Sequence, residues 1–144
     1  MTPRTTTDQI DALRDITTDI VDILKGYAEM QERAETDLLP VIQRLHALHE
    51  THAAELMDML DRIGGAPEDA GSAMGLVHKA VATARDWAGA LDATAIPQIV
   101  DGEKQVLSSY DRAVEAIVAP PELVTLLDRQ RTVLAEHVHA IEHG

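Results

Sequence analysis

The sequence predicts an all-α fold in which four long helices pack as a bundle, and three observations lead to this. Apolar residues recur at steps of three and four in every periodic segment, which is the helical period. Hydrophobic residues make up 45% of the chain and aromatic residues only 2%, so the core must be aliphatic, which suits a bundle better than a β-sandwich. A length of 144 residues fits one domain with a continuous core.

The first predicted helix covers residues 8–35 and follows a Thr-rich lead, residues 1–7, that we expect to be flexible. Residues 8–144 then form the single bundle domain. Asp8 is a suitable N-cap residue. The apolar stripe of this helix consists of Leu13, Ile16, Ile20, Ile23, Tyr27, Met30 and Ala34.

The second predicted helix covers residues 37–63, with cap residues Thr36 and Asp37 before Pro40 in the first turn. A single kinked helix through residues 35–37 is the alternative. Gly64 and Gly65 end the second helix. Its stripe contains two histidines and consists of Leu38, Ile42, Leu45, His49, His52, Leu56, Met59 and Ile63.

The remaining elements are a loop, a short helix and two long helices. Residues 64–72 read as an exposed loop, and residues 73–91 as a crossover helix with an apolar stripe that ends in Trp87 and Leu91. The third long helix covers residues 95–118, and Pro120 and Pro121 separate it from the fourth, residues 121–143.

Two topologies fit this order of elements. Two helical hairpins joined by the shorter crossover helix, between the second and third bundle helices, would give a ferritin-like four-helix bundle. An up-down-up-down bundle with the short helix across one end is the competing arrangement.

Polar residues inside the apolar stripes are the candidate functional residues. Glu103 and Tyr110 interrupt the third stripe, and Gln130 and His137 interrupt the fourth. Buried carboxylate and imidazole groups are costly unless they meet one another or a cation. The predicted metal ligands are therefore His49, His52, Glu103 and His137, a set that suits iron, zinc, manganese or copper.

The topology affects whether these four residues can meet. An up-down-up-down bundle places all four near one level. The crossover bundle is expected to place His49 and His52 near Tyr110, with Glu103 and His137 about 10 Å higher along the helices. The alternative reading is a core in which the histidines form hydrogen bonds with Glu, Gln or Tyr across the bundle.

Other titratable residues lie off the stripes. Glu50, Glu55 and Glu136 flank the core edge as reserve ligands, and Glu136 with His139 has the Glu-x-x-His spacing of di-metal bundles. Surface positions are expected for four histidines: His46, His78, His139 and His143.

The charge of the chain restricts its partners. A net charge of −13 opposes binding to nucleic acid and to anionic membranes.

The chain has no Cys, which excludes disulfides and thiolate metal sites. No stretch is long and apolar enough to span a membrane, and the first residues lack the apolar region of a secretory signal. We expect a cytoplasmic protein with no organic cofactor, and homo-oligomerisation stays open.

Four segments carry a family resemblance: ILKGYAEMQERAE (23–35), HAAELMDML (52–60), RIGGAPEDAGS (62–72) and GEKQVLSSYDRAV (102–114). Over most of residues 10–140 the chain resembles a bacterial family of uncharacterised ferritin-like four-helix-bundle proteins, distantly similar to the rubrerythrin and bacterioferritin group. The resemblance implies a ferritin-like fold and a metal-linked or stress-related role. It also implies acidic site positions at Glu29, Glu55 and Glu103. The second helix has no Glu-x-x-His motif, so a complete di-iron oxidase site is not implied.

Two functions follow from the sequence. The first is a ferritin-like bundle that binds a transition metal in a His and Glu core and serves storage, redox chemistry or stress response. The alternative is a non-catalytic structural or interaction bundle without metal. No nucleophile triad, phosphate-binding loop or dinucleotide motif is present.

Overall fold

The structure is a computed structural model that describes residues 6–63 and 91–144. Within these ranges the chain forms four α-helices and a short 3₁₀ turn, Ala93–Ala95. The α-helices are α1 (Thr6–Gln31), α2 (Leu39–Arg62), α3 (Ile96–Ala116) and α4 (Pro121–His143). The described part of the chain contains no β-strand, only an isolated bridge between Ala34 and Leu91. The predicted all-α bundle is confirmed.

Proline marks the start of three helices, since it lacks the N–H that a first turn leaves unpaired and its fixed φ suits that turn. Pro40, Pro97 and Pro121 occupy the first or second positions of α2, α3 and α4. At the other end of α3, Ile117 already has extended backbone angles. The helix therefore ends two residues before the predicted position 118, and the amides of Val118 and Ala119 donate to the side chain of Gln9 instead of extending it.

The turn between α1 and α2 is longer than predicted. Helix α1 ends at Gln31 rather than at residue 35, and α2 begins at Leu39. Backbone hydrogen bonds explain the difference: Leu91 donates to the carbonyl of Arg33 at 3.3 Å and accepts from the amide of Glu35 at 2.7 Å. Arg33 and Glu35 pair with Leu91, which precedes α3, instead of extending α1. The single kinked helix is wrong, because α1 and α2 pack against each other as a hairpin.

Contacts at the two ends of the bundle establish the direction of each helix. Leu91, before α3, pairs with residues that follow α1, and Gln9, at the start of α1, accepts hydrogen bonds from the amides of Val118 and Ala119 after α3. Helices α1 and α3 are therefore antiparallel neighbours. Asp37, before α2, accepts a hydrogen bond of 3.1 Å from the amide of Ala93. Helices α2 and α3 thus start at the same end and run parallel.

This parallel pair decides between the two topologies. Ile63 follows the end of α2 and Leu91 precedes the start of α3, so the connection between them links opposite ends of the bundle. The parallel directions of α2 and α3 exclude the up-down-up-down arrangement and fit two helical hairpins, while the crossover helix between them stays a prediction. The predicted loop at 64–72 and the predicted crossover helix, apart from Leu91, lie outside the described residues.

The core divides into two apolar clusters along the bundle axis. One is centred on α1, α2 and the start of α3, and it includes Tyr27, Leu45 and Ile99. The other involves all four helices and includes Leu56 and Tyr110. On α2, His49 and His52 lie in sequence between Leu45 of the first cluster and Ala53 of the second. On α3, Glu103 lies between Val100 and Val106 of the second cluster. We call the level of these three polar residues the polar layer.

Candidate functional site

Three buried side chains from three helices meet at the polar layer: Tyr27 of α1, His49 of α2 and Glu103 of α3. Their exposed fractions are 2%, 0% and 1%. Tyr27 donates its hydroxyl hydrogen to Oε2 of Glu103 over 2.5 Å. The Nε2 atom of His49 lies 2.9 Å from Oε1 and 2.8 Å from Oε2 of the same carboxylate. The Tyr27 and His49 rings are stacked, with centroids 6.1 Å apart and planes 14° apart. We call this set the Tyr27–His49–Glu103 centre.

The helix register explains why His49 meets Glu103. Because Asp37 contacts Ala93, α2 and α3 start at nearly the same level. His49 is 12 residues beyond Asp37 and Glu103 is 10 residues beyond Ala93. The difference of two residues corresponds to about 3 Å of helical rise. The predicted separation of about 10 Å in the crossover bundle is therefore wrong for His49 and Glu103.

The electrostatics of the centre make Tyr27 a hydrogen-bond donor. Burial raises the pKa of the Tyr27 hydroxyl well above its ordinary value, and the negative charge of Glu103 and the hydrogen bond to it raise it further. The phenol therefore stays protonated at neutral pH. The contact between Nε2 of His49 and the carboxylate of Glu103 is a hydrogen bond whose donor depends on the tautomer of the imidazole. The other ring nitrogen, Nδ1, is buried and has no hydrogen-bond partner among the described residues.

His52 lies one turn beyond His49 and is a second buried imidazole, 5% exposed. Its Nδ1 atom is also buried without a partner in the described ranges. The pKa of His52 is lowered to about 4, mainly by burial and also by the nearby His49, Arg129 and His137, against the opposing effect of Glu55. His52 is therefore neutral at pH 7, and Nδ1 or Nε2 is free of a proton and able to act as an acceptor or ligand.

A second polar layer joins α2, α3 and α4. Tyr110 donates to Oε1 of Gln130 over 2.8 Å, and Nε2 of Gln130 donates to Oε1 of Glu55 over 3.0 Å and to the backbone carbonyl of His52 over 3.2 Å. Arg129 holds the other oxygen of Glu55 at 2.8 Å. Burial raises the pKa of Tyr110. The polar groups of this layer satisfy one another, and Glu55 is engaged there rather than at the Tyr27–His49–Glu103 centre.

The structure places the four predicted ligands in two groups. His49 and Glu103 are in direct contact. His52 is buried on the next turn of α2, and His137 is half-buried on α4, where Val138 takes the core position instead. Among residues 6–63 and 91–144, no three His, Asp or Glu side chains lie close enough together to hold a metal ion. The four-residue metal site stays a prediction.

The sequence places Tyr27 on the apolar stripe of the first helix, but it did not assign this residue to the candidate site. Its only signal was a phenol at a core position of the first stripe, where a tyrosine hydroxyl must find a partner if it is buried. Glu29 and Glu50, the other acidic candidates near it, are half-buried and exposed respectively.

A groove of about 500 Å³ runs between α1 and α3 beside the centre. Tyr27 forms part of its wall, together with Gly26 and Gly102, the neighbours in sequence of Tyr27 and Glu103. Asp19, Asp22 and Arg112 also line it, so charged groups of both signs are present. The Tyr27–His49–Glu103 centre therefore lies beneath this groove.

Comparison with known proteins identifies the family. A family model described as "Domain of unknown function (DUF2383)" matches residues 8–116. The chain belongs to the DUF2383 family. The match covers α1, α2 and all of α3, so every member of the Tyr27–His49–Glu103 centre lies within the DUF2383 region, whereas α4 lies beyond it. No curated protein and no solved structure matches the chain. None of the described helices is long and apolar enough to cross a membrane.

Proposed function

We propose that this DUF2383 protein binds one divalent transition-metal ion at the Tyr27–His49–Glu103 centre. The observation that carries the proposal is the contact of His49 Nε2 with both carboxylate oxygens of Glu103 at a fully buried position. Imidazole nitrogen and carboxylate oxygen are the ligand types that zinc, iron and manganese take in proteins. A metal ion would take the place of the hydrogen between Nε2 of His49 and the Glu103 carboxylate.

The roles of the residues follow from their contacts. Glu103 and His49 would hold the ion, and Tyr27 would orient the carboxylate through its hydrogen bond, as groups around metal ligands commonly do. His52 supplies a further imidazole on the same helix, neutral at pH 7 and with a buried nitrogen that lacks a partner among the described residues. His137 is the remaining ligand that the sequence suggests. When bound, the ion would supply Lewis acidity or redox capacity according to its identity.

A ferritin-like relationship, with a role in metal storage, redox chemistry or stress response, belongs to this proposal. The crossover topology supports it, since bundles of that topology commonly place metal ligands on facing helices. A cytoplasmic location, the absence of nucleic-acid partners and assembly into homo-oligomers are further expectations from the acidic composition and remain to be measured.

A specific observation also favours the alternative, a non-catalytic bundle without metal. The Glu103 carboxylate already accepts a hydrogen bond from Tyr27 and is in hydrogen-bond contact with His49, so this carboxylate is satisfied by protein groups alone. In that case the buried polar residues would fix how far the helices are shifted along one another. Core polar groups have this role in some helical bundles.

Metal content and thermal stability separate the two functions. We expect protein purified without chelator to contain about one zinc, iron or manganese ion per chain by elemental analysis. Removal by chelator should lower Tm by roughly 5–10 °C, since a ligand at 100 times its Kd contributes about 2.7 kcal/mol. Addition of zinc or ferrous iron to the chelated protein should restore Tm, because the unfolded chain cannot present the ligands together.

Matched variants locate the ion. Glu103→Gln and His49→Ala should remove the bound metal and the chelator response. His46→Ala, a half-buried histidine one turn earlier on α2, should retain both. A metal-free protein whose melt is unchanged by chelator and by added metal would contradict the metal site and leave the hydrogen-bonded bundle.

A further inference from the structure

A second pair of imidazoles lies far from the core layer in sequence, at the end of α4. His139 and His143 are four residues apart, and their ring centroids are 4.4 Å apart with planes tilted by 50°. Both residues are exposed, and the His143 side chain retains 62% of its accessible surface. A spacing of four residues places both side chains on one helix face, with Cβ atoms about 5–6 Å apart. The two rings are therefore neighbours across a single helical turn.

The surroundings of the pair favour a cation. Oε1 of Glu142 lies 3.7 Å from Nε2 of His143, and its other oxygen, Oε2, is held by Lys104 of α3 at 2.7 Å. The carbonyl groups of the last helical turn carry partial negative charge, which stabilises positive charge near a helix C-terminus. The net charge of −13 adds a long-range attraction for cations.

We propose that His139 and His143 chelate a divalent transition-metal ion of the nickel, copper or zinc class on the surface of α4. Imidazole is a preferred ligand of these ions, and metal–nitrogen distances of about 2.0–2.1 Å let two rings on adjacent turns reach one ion. Water would occupy the other coordination positions, because both rings face solvent. The second imidazole binds intramolecularly once the first has bound, and this raises the affinity over that of a single exposed histidine.

This surface site is independent of the proposed core function. It shares no residue with the Tyr27–His49–Glu103 centre and lies beyond the matched DUF2383 region. It would also hold the last turn of α4 in its helical form, since the ion binds only when both imidazoles lie on the same face.

Calorimetric titration of the full chain with NiCl₂ tests the pair. We expect a site whose affinity falls on the order of tenfold or more in His139→Ala and in His143→Ala, because each variant leaves one imidazole. Glu103→Gln should keep this site, which separates it from metal binding in the core. The melting temperature in the absence of metal should be unchanged in the two histidine variants, because both side chains are exposed.

A rearranged variant provides the matched control. His143→Ala combined with Thr132→His keeps two histidines but places them seven residues apart, about 10 Å along the helix, which is too far for both rings to reach one ion. Thr132 is exposed, and no histidine lies three or four positions from it. This variant should bind Ni²⁺ as weakly as His143→Ala alone. Equal affinity of the wild type and His143→Ala, or wild-type affinity in the rearranged variant, would overturn the proposal.

Discussion

Glu103 is the residue around which the described core is organised. A carboxyl group that is 1% exposed is tolerated because a phenol donates to it and an imidazole from another helix lies within hydrogen-bond distance. Each partner compensates part of the cost of removing the charge from water, a cost of several kcal/mol for an unpaired ion. The contact between His49 and Glu103 is therefore compatible with both proposed functions. In a metal-free bundle it satisfies the buried carboxylate, and in a metal-binding bundle it brings two ligand types to the same position.

His52 predicts a pH dependence of stability. The pKa of His52 is lowered from 6.5 to about 4 in the folded protein, mainly by burial. Between these two values the unfolded state binds more protons, so the free energy of unfolding falls as pH is lowered from 6.5 towards 4. The loss from this group is at most about 1.4 kcal/mol per pH unit.

Urea unfolding at pH 7 and pH 5 measures this contribution. We expect the wild type to lose roughly 2 kcal/mol more between the two pH values than His52→Leu, in which the titrating group is absent. Carboxylates titrate in both proteins, so the difference isolates His52. At pH 7 His52→Leu should be neutral or stabilising, because an apolar side chain replaces a buried polar one. Equal pH slopes in the two proteins would show that His52 is not buried as described.

At the scale of elements, two glycines lie in the middle of helices beside the groove. Gly26 of α1 and Gly102 of α3 flank Tyr27 and Glu103 in sequence. A Cβ atom built at either position meets no described atom within 4 Å. Neither glycine is therefore required for close packing of the described helices, although each costs helix stability relative to alanine.

Gly26→Ala and Gly102→Ala should each raise the free energy of unfolding by about 0.5–1 kcal/mol. Ala28→Gly, an exposed position on α1, is the matched reverse control and should lower it by a similar amount. Thermal melts of the three variants check this prediction. Destabilisation by either alanine would instead show that the space along the groove is filled by a group outside the described residues, or by a partner.

The whole molecule carries 25 acidic and 12 basic residues, and this imbalance should be visible in its salt response. Exposed ion pairs such as Arg62–Asp58 and Lys104–Glu142 contribute little each in water. Repulsion among the excess carboxylates therefore dominates the surface electrostatics and opposes the compact state.

Raising NaCl from 0.02 to 0.5 M should increase stability, because added salt shortens the screening length to well below 10 Å. We expect a gain of about 1–2 kcal/mol, or roughly 3–6 °C in Tm for a chain of this size. A variant with Asp11→Lys and Asp15→Lys, both exposed positions on α1, has a less negative charge and should respond less. A fall in Tm with salt would mean that the surface ion pairs outweigh the repulsion.

The sequence by itself determined the helices and the polar positions of the core. Helical periodicity is a local property, so the apolar stripes of α2 and α3 could be read directly, and the polar members His49, His52, Glu103, Tyr110 and Gln130 are all buried in the structure. Proline likewise marked the helix starts, because its effect is confined to its own turn.

Only the tertiary structure decided which of those polar groups touch. The contact of Glu103 with His49 and Tyr27 depends on the levels and rotations of three helices, which periodicity does not encode. Pairing of Leu91 with the residues after α1, and of Ala93 with Asp37, sets α2 and α3 parallel and almost level. The same register leaves His137 half-buried and commits Glu55 to Gln130 and Arg129. Which distant segments touch is decided only when the bundle assembles. These contacts bring Tyr27, His49 and Glu103 together, out of several combinations of core polar residues that the stripes allowed.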